Sequence, residues 1–311
     1  MTGNILIKLF VNFNNFHNRT PFTLQAYKRF LLDLFEFFAH YNDFFTNTHA
    51  KIMPTTKLLN YQFNAINNSQ ISPTLVFIHG LFGDMNNLGV IARAFSEKYP
   101  ILRLDLRNHG QSFHSEEMNY QLMAEDVLQV IDHLHLSKVI LIGHSMGGKT
   151  AMKCAMLRPH LIEKLIVIDI APVNYANNGH DSVFAGLFAV SKAQSETRQQ
   201  AKQLLANYIP QESVQQFMLK SFDAQAKEKF RFNLTALKQN YAEIMDWKKG
   251  FFNKPTLFIR GGLSNYILPE YSEQILAQFP QATSFTINGS GHWVHAEKAD
   301  FVIRSIQRFL S

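Results

Sequence analysis

One serine is placed between glycines in a pattern that favours nucleophilic chemistry. Gly143-His144-Ser145-Met146-Gly147 follows the apolar run 139–142 and precedes an Ala- and Met-rich helical pattern over 146–157. A G-x-S-x-G segment between a strand and a helix predicts a sharp turn that lifts the serine Oγ above a sheet. Ser145 is therefore the candidate nucleophile. A glycine-rich turn with a helix-capping serine is the alternative interpretation.

A histidine late in the chain is the candidate base. A serine hydroxyl is a weak nucleophile near neutral pH and needs a base within hydrogen-bond reach. Gly289-Ser290-Gly291-His292 follows the apolar run Thr283–Ile287, and its glycines permit a loop that returns to the sheet edge. We therefore expect His292 to be the base. His295 is its nearest rival, for which a packing role is the simpler interpretation.

An aspartate at the end of another apolar run is the candidate acid. Asp169 follows the run 165–168. Neighbouring strands lie ~4.8 Å apart, so a carboxylate at this position can reach an imidazole above the adjacent strand and hold it in one tautomer. Capping of the following turn is the alternative role for Asp169. Glu297 is a weaker candidate, because its local helix would point it away from Nδ1 of His292.

Acyl transfer also needs two backbone N–H groups for the developing oxyanion. The turn His79-Gly80-Leu81-Phe82-Gly83 follows the apolar run 75–78 and offers the N–H of Leu81, and the second donor would be the N–H of Met146. The residues expected to contact substrate are His79, Gly80, Phe82, Phe184, Phe188, Phe217 and Trp293. Core packing is the alternative for the aromatic residues of the helical patterns, and a structural role is the alternative for His79.

The elements that must position these residues alternate along the chain. Short apolar runs at 75–78, 101–104, 139–142, 165–168 and 256–259 are typical of parallel strands covered on both faces. Helical patterns at 88–98, 120–133 and 146–157 lie between the early runs and predict an open, mostly parallel α/β sheet. At a third strand end, we expect Asp105 and Arg107 to form a structural pair.

Residues 174–254 interrupt this alternation. They contain no convincing strand, and helical patterns occur at 181–192, 196–208, 212–222 and 234–245. We interpret this segment as a helical insertion over the carboxyl edge of the sheet. It carries 11 Lys and Arg against 7 Asp and Glu. Scattered, solvated lysines are the simpler interpretation of this excess. A surface that faces an anionic substrate, such as one with a phosphate-bearing thiol leaving group, is the alternative.

Together these segments resemble the α/β-hydrolase superfamily from about Met53 to Ser311, and within it the bacterial esterases of the YbfF type. The resemblance rests on His79–Gly83, Asn86–Val90, Arg107–Gly110, Gly143–Lys149, Ile168–Val173, Leu219–Phe222 and Gly291–Lys298. It implies an eight-stranded, mostly parallel sheet with helices on both faces. It also implies a core of residues 53–173 and 255–311, with a helical lid, 174–254, inserted after strand six.

The same resemblance implies Ser-Asp-His chemistry on carboxylic esters or thioesters without a cofactor or metal. In the commoner superfamily pattern the acid follows strand seven, here Gly261–Tyr266, where no carboxylate occurs. Likeness to the YbfF type favours Asp169 instead. A lyase or carbon–carbon hydrolase of the same fold, and a non-catalytic ligand-binding homologue, stay open as alternatives, as do the leaving atom, the acyl length and the oligomeric state.

Composition narrows the classes of partner. The 30 Lys and Arg and 24 Asp and Glu form no block of five like charges, which argues against nucleic acid. No uninterrupted apolar stretch of 18 residues occurs, so we expect no membrane span and no stable membrane anchoring. A single cysteine, Cys154, cannot form an internal disulfide, which favours the cytoplasm.

Residues 1–52 differ from the rest, with ten of the 28 Phe and seven Asn. We interpret them as a non-native or disordered extension that is dispensable, with Met53 as a later start. A helical pattern after Thr20-Pro21 makes an amphipathic helix for a membrane surface or a partner the alternative. Asp33, Glu36 and Asp43 disfavour an anionic lipid surface.

Overall fold

The computed structural model describes residues 57–66, 73–175 and 179–311. The interpretation of residues 1–52 lies outside these ranges. The strands in the described ranges are β1 Tyr61–Asn64, β2 Thr74–Ile78, β3 Ile101–Leu104, β4 Val139–His144, β5 Ile162–Ile168, β6 Thr256–Gly261 and β7 Ala282–Ile287. The helices there are α1 Gly89–Arg93, α2 Tyr120–His133, α3 Met146–Leu157, α4 Asp181–Lys192, α5 Arg198–Ala206, α6 Glu212–Lys220, α7 Leu234–Gln239, α8 Tyr241–Met245, α9 Ser272–Gln278, α10 Val294–Glu297 and α11 Ala299–Leu310, with a 3-10 helix at Pro269–Tyr271.

The strands form one open sheet in the order β1-β3-β2-β4-β5-β6-β7. β1 pairs antiparallel with β3, and every other pairing is parallel, so the mostly parallel α/β sheet is confirmed. The described residues supply seven strands rather than the expected eight. Residues 57–60, directly before β1, adopt no strand that would extend this edge. By this count the helical insertion follows the fifth strand.

Each central strand is apolar on both faces because helices pack against both faces of the sheet. In β2, Val76 and Ile78 belong to a core shared with α2, α3 and the insertion. Leu75 and Phe77 point to the opposite core, where α1 and α11 pack. Successive side chains of a strand alternate between faces, so a run without polar residues is what this double covering requires.

Helices α4 to α8 make up the described part of the insertion, which lies against loops that leave the carboxyl ends of the strands. The Ser221 hydroxyl donates to the Phe82 carbonyl at 3.0 Å, and the Asn233 N–H donates to the Asn108 carbonyl at 2.9 Å. Arg231 pairs with Asp84 at 3.1 Å. The insertion is thereby attached to the turns after β2 and β3. Across the described ranges, no helix has both the length and the apolar character needed to cross a membrane.

The prediction that Asp105 and Arg107 pair with each other is wrong. Arg107 pairs with Asp126 of α2 instead, with its Nε 2.6 Å from the carboxylate. Asp105 accepts from the N–H groups of Met85 and Gln111, at 2.7 and 2.9 Å. Both side chains have structural roles, but they contact different partners. Asp105 faces two loops, whose backbone N–H groups donate to its carboxylate, so it does not need Arg107 as a partner.

Candidate active site

Ser145 lies at a sharp turn between β4 and α3, with φ 53° and ψ −123°. The turn requires glycine at both flanking positions. A Cβ on Gly143 would lie 2.2 Å from the Gly147 carbonyl oxygen, and one on Gly147 would lie 2.3 Å from the Ile78 carbonyl oxygen. The two small residues therefore permit a conformation that presents the Ser145 hydroxyl at the carboxyl end of the sheet, beside the start of α3.

The His292 imidazole joins Ser145 to Asp169. Its Nε2 lies 2.9 Å from the Ser145 Oγ, and its Nδ1 lies 2.8 Å from Oδ2 of Asp169. An ionised carboxylate only accepts hydrogen bonds, so Nδ1 carries the proton and Nε2 is left to accept from the serine hydroxyl. Side chains from three separate parts of the chain thus place a hydroxyl, an imidazole and a carboxylate in hydrogen-bonded sequence.

Asp169 is completely buried, and its remaining acceptor capacity is used by the neighbouring strand end. Oδ1 accepts from the Gly261 N–H at 2.8 Å, and Oδ2 also accepts from the Ser264 hydroxyl. Ser264 was not identified from the sequence. It lies in the segment after β6 where the commoner superfamily pattern has its acid, whereas Asn265, its neighbour, is exposed.

Further contacts restrain the His292 ring and main chain. The Tyr266 ring stacks on the imidazole with centroids 4.0 Å apart. Nε2 of His144 lies 2.9 Å from the His292 carbonyl oxygen, to which it donates. The rival base, His295, is buried with its ring 4.1 Å from that of His144, and burial lowers its pKa to about 3. Glu297 accepts from the Gly291 N–H at 2.8 Å rather than from His292.

The turn after β2 is oriented by His79. Its Nε2 accepts from the Leu106 N–H at 3.0 Å, so its Nδ1 carries the proton and donates to the Gly80 carbonyl at 2.8 Å. In a trans peptide the N–H points opposite to the carbonyl, which directs the Leu81 N–H away from His79. Within the described residues, neither this N–H nor that of Met146 has a hydrogen-bond acceptor.

The family model of the alpha/beta hydrolase fold matches residues 73–299. The chain belongs to the α/β-hydrolase fold family. It is 68% identical over 274 residues to a Haemophilus influenzae protein that carries the name of an esterase/lipase, covering 88% of this chain and 95% of that protein.

Two further relatives give the same family. Esterase YbfF of Escherichia coli is 43% identical over 254 residues, which are 81% of this chain and 99% of that protein. A solved structure of a marine microorganism esterase superposes with a TM-score of 0.76 at 32% identity, covering 82% of this chain and all of that one. The α/β-hydrolase assignment therefore holds for sequence and for architecture.

A cavity of about 290 Å³ opens beside Ser145 and His292, as expected for an α/β hydrolase. Both predicted oxyanion donors belong to residues that line it, Leu81 and Met146. Four of the seven predicted substrate contacts also line it: Gly80, Phe82, Phe217 and Trp293.

The other three predicted substrate contacts do not line the cavity, and these expectations are corrected. His79 uses both ring nitrogens on backbone groups beneath the turn. Phe184 is buried against the Phe82 ring, with centroids 5.3 Å apart, so it supports the wall from behind. Phe188 follows one helical turn later in α4 and is 37% exposed. Aromatic spacing in a helix predicts packing but does not tell which face meets a ligand.

Proposed function

We propose that this chain is a serine hydrolase that cleaves carboxylic esters and acyl thioesters of small molecules through an acyl-enzyme. The observation that carries the proposal is the double contact of His292, 2.9 Å from the Ser145 Oγ and 2.8 Å from the Asp169 carboxylate. This geometry is what general-base activation of a serine requires. The names of the two esterase relatives support the same reaction class.

In the first half-reaction the Ser145 oxygen attacks the acyl carbonyl carbon, and its proton moves to Nε2 of His292. The buried Asp169 carboxylate stabilises the imidazolium that forms, while the N–H groups of Leu81 and Met146 donate to the oxyanion. The tetrahedral intermediate collapses as His292 donates its proton to the leaving oxygen or sulfur. The products of this step are an alcohol or thiol and an acyl ester of Ser145.

In the second half-reaction water replaces the leaving group. His292 takes a proton from the water, whose oxygen attacks the acyl carbon, and the same two N–H groups again hold the oxyanion. Collapse returns the proton from His292 to the Ser145 oxygen and releases a carboxylic acid. None of these steps uses a metal or an organic cofactor.

We further propose that the helical insertion is the lid of this site. Phe217, from α6, packs against Trp293 with ring centroids 5.7 Å apart, and both line the cavity. The lid thus closes the pocket over the acyl group. The buried, unpaired thiol of Cys154, the single cysteine of the chain, supports a cytoplasmic location.

Replacement of the nucleophile tests the proposal. Ser145→Ala removes one hydroxyl and leaves the glycine turn in place, so the fold is expected to persist. Hydrolysis of ethyl valerate and of the corresponding thioester, S-ethyl thiovalerate, should fall by at least ~10³-fold. Acid release in a pH-stat and circular dichroism measure the two properties. A variant that folds and keeps more than about one percent of wild-type turnover would show that Ser145 is not the nucleophile.

A further inference from the structure

A buried lysine lies one helical turn beyond the candidate nucleophile. Lys149 of α3 is 1% exposed, yet it lines the cavity together with Ser145. Its Nζ donates to the carbonyl oxygens of Met245 and Asp246, at 3.1 and 3.0 Å. An ammonium group has three N–H donors, so two backbone carbonyls leave one donor for another acceptor.

Aromatic rings surround the same ammonium. Its Nζ lies 4.8 Å from the ring centroid of Tyr175, 5.4 Å from that of Tyr120 and 5.9 Å from that of Trp247. The π faces of aromatic rings attract a cation, and this attraction is stronger where water is excluded. The rings and carbonyls keep a positive charge at a fixed place in the cavity wall.

No opposite charge balances Lys149 at the cavity wall. Among the described residues that line the cavity, Lys149 is the one Lys or Arg, and no Asp or Glu is present. The described part of the chain also contains no ion pair between Lys149 and a carboxylate. Burial lowers the pKa of two histidines of the wall, His144 and His180, which keeps them neutral.

We propose that Lys149 binds the distal carboxylate of an acyl group, so that the enzyme prefers monoesters or monothioesters of small dicarboxylic acids. This inference rests on the proposed hydrolase function and specifies its substrate class. A buried pocket without a cation would disfavour a carboxylate, because the loss of hydration costs several kcal/mol. A fixed ammonium with a free donor offsets that cost.

The protonation of Lys149 is compatible with this role. Burial lowers its pKa to about 7, while the nearby Asp246 carboxylate acts in the opposite direction. A carboxylate bound in the cavity would favour the charged ammonium further. Asp246 itself accepts from the Asn174 side-chain amide at 2.9 Å, so its carboxylate is held by another partner.

Two matched pairs of esters test the proposal on the wild-type enzyme. Monoethyl glutarate is compared with ethyl valerate, and monoethyl adipate with ethyl hexanoate, by acid release at pH 6.5. Each pair shares its acyl length and leaving group and differs in the terminal carboxylate. We expect kcat/KM to be higher for the carboxylate-bearing member of at least one pair. Preference for the uncharged member of both pairs would overturn the proposal.

Substitution of Lys149 tests whether its charge causes the preference for the carboxylate-bearing ester. In Lys149→Met the ratio of kcat/KM for the preferred pair should fall by about 10- to 100-fold, the usual worth of a hydrogen bond to a charged group. Lys149→Arg should restore part of it. Lys153→Met, one turn further along α3 and outside the cavity lining, is the matched control and should leave the ratio unchanged. A Lys149→Met ratio within threefold of wild type would overturn the role of Lys149.

Two additional measurements keep the outcomes separate. Labelling of wild type and variants by a fluorophosphonate reports a working nucleophile without any acyl preference, so its absence in wild type would contradict the hydrolase function itself. If Lys149→Met does not fold, inhibition of wild-type labelling by glutarate, against valerate, which lacks the second carboxylate, replaces the variant. Stronger protection by glutarate supports the carboxylate site, and equal or weaker protection overturns it.

Discussion

Asp169, the proposed acid, is held in place by the neighbouring strand. Asp169 accepts hydrogen bonds from the Gly261 N–H, the Ser264 hydroxyl and Nδ1 of His292. Hydrogen bonds of this kind fix the position and orientation of a buried carboxylate. The carboxylate in turn keeps the proton of His292 on Nδ1, which is the tautomer that a general base for Ser145 requires.

Replacing this carboxylate by an amide should remove most of the turnover. In Asp169→Asn the amide can donate to Nδ1 and stabilise the wrong tautomer, so kcat should fall by ~10³- to 10⁴-fold with little change in KM. Steady-state kinetics on an ester substrate measures both constants. Adding Asn265→Asp to the Asp169→Asn enzyme should not restore its activity, because residue 265 is exposed and Ser264 occupies the position that faces Asp169. Near-full turnover of Asp169→Asn would exclude this acid.

The positions of site residues could be predicted where a glycine-rich segment marked a turn, and could not be predicted elsewhere. Ser145 and His292 stand in glycine-rich segments whose spacing indicates a turn, and the structure brings their side chains together. Nothing around Ser264 distinguishes it from any other serine, because its significance arises only when β6 lies beside β5. The placement of Phe184 and Phe188 depended on the rotation of α4, which no local pattern specifies.

Among the elements, the helical insertion is bonded to the turn that carries Leu81, the proposed oxyanion donor. Phe82 has φ 63°, a conformation that costs a non-glycine residue ~1–2 kcal/mol. Its N–H donates to Nε2 of His109 at 3.2 Å, and its carbonyl accepts from the Ser221 hydroxyl at 3.0 Å. One contact comes from the core and one from the insertion, and together they hold the turn that carries Leu81.

Loss of the contact from the insertion should therefore affect catalysis at a distance. In Ser221→Ala the buried Phe82 carbonyl loses its donor, so the free energy of unfolding should fall by ~1 kcal/mol and kcat several-fold, with KM nearly constant. Urea unfolding and steady-state kinetics measure these effects. Ser213→Ala, at an exposed serine of α6, is the control. If both variants behave alike, the insertion does not support the oxyanion turn.

Helix positions were predictable where a local signal marked their ends. The Asn119 side chain accepts from the Leu122 N–H and starts α2 at Tyr120, as the pattern indicated. The predicted helix over 234–245 is divided in the structure, because the Asn240 side chain bonds to Met118 and Glu116 and interrupts it. β1 was not predicted. Its pattern is half-buried at the sheet edge, and only pairing with β3 defines it.

At the scale of the whole molecule, buried histidines make stability depend on pH. Burial lowers the pKa of five imidazoles from the ordinary 6.5, with His109 and His295 at about 3. The group comprises His79, His109, His144, His180 and His295. Below pH 6.5 the unfolded chain binds protons at these sites while the folded protein does not. Stability is therefore complete above pH 6.5 and is lost as pH falls towards 3.

Urea unfolding at pH 7.5 and at pH 5.5 should reveal this loss. Each buried imidazole contributes up to ~1.4 kcal/mol per pH unit within the window, so the free energy of unfolding should drop by several kcal/mol. His295→Phe removes one such group and should flatten the dependence, whereas His160→Gln, at an exposed position, should not. An identical pH dependence in wild type and His295→Phe would contradict the effect.

We propose that Ser145 is a nucleophile activated by His292. Reaction with a fluorophosphonate, followed by intact mass measurement and peptide mapping, tests it most directly because the probe requires no knowledge of the substrate. We predict one phosphonyl group per chain on the peptide that contains Ser145, no adduct in Ser145→Ala, and much slower labelling in His292→Ala. A wild-type chain that folds but stays unlabelled, or that is labelled at another residue, would show that Ser145 is not an activated nucleophile.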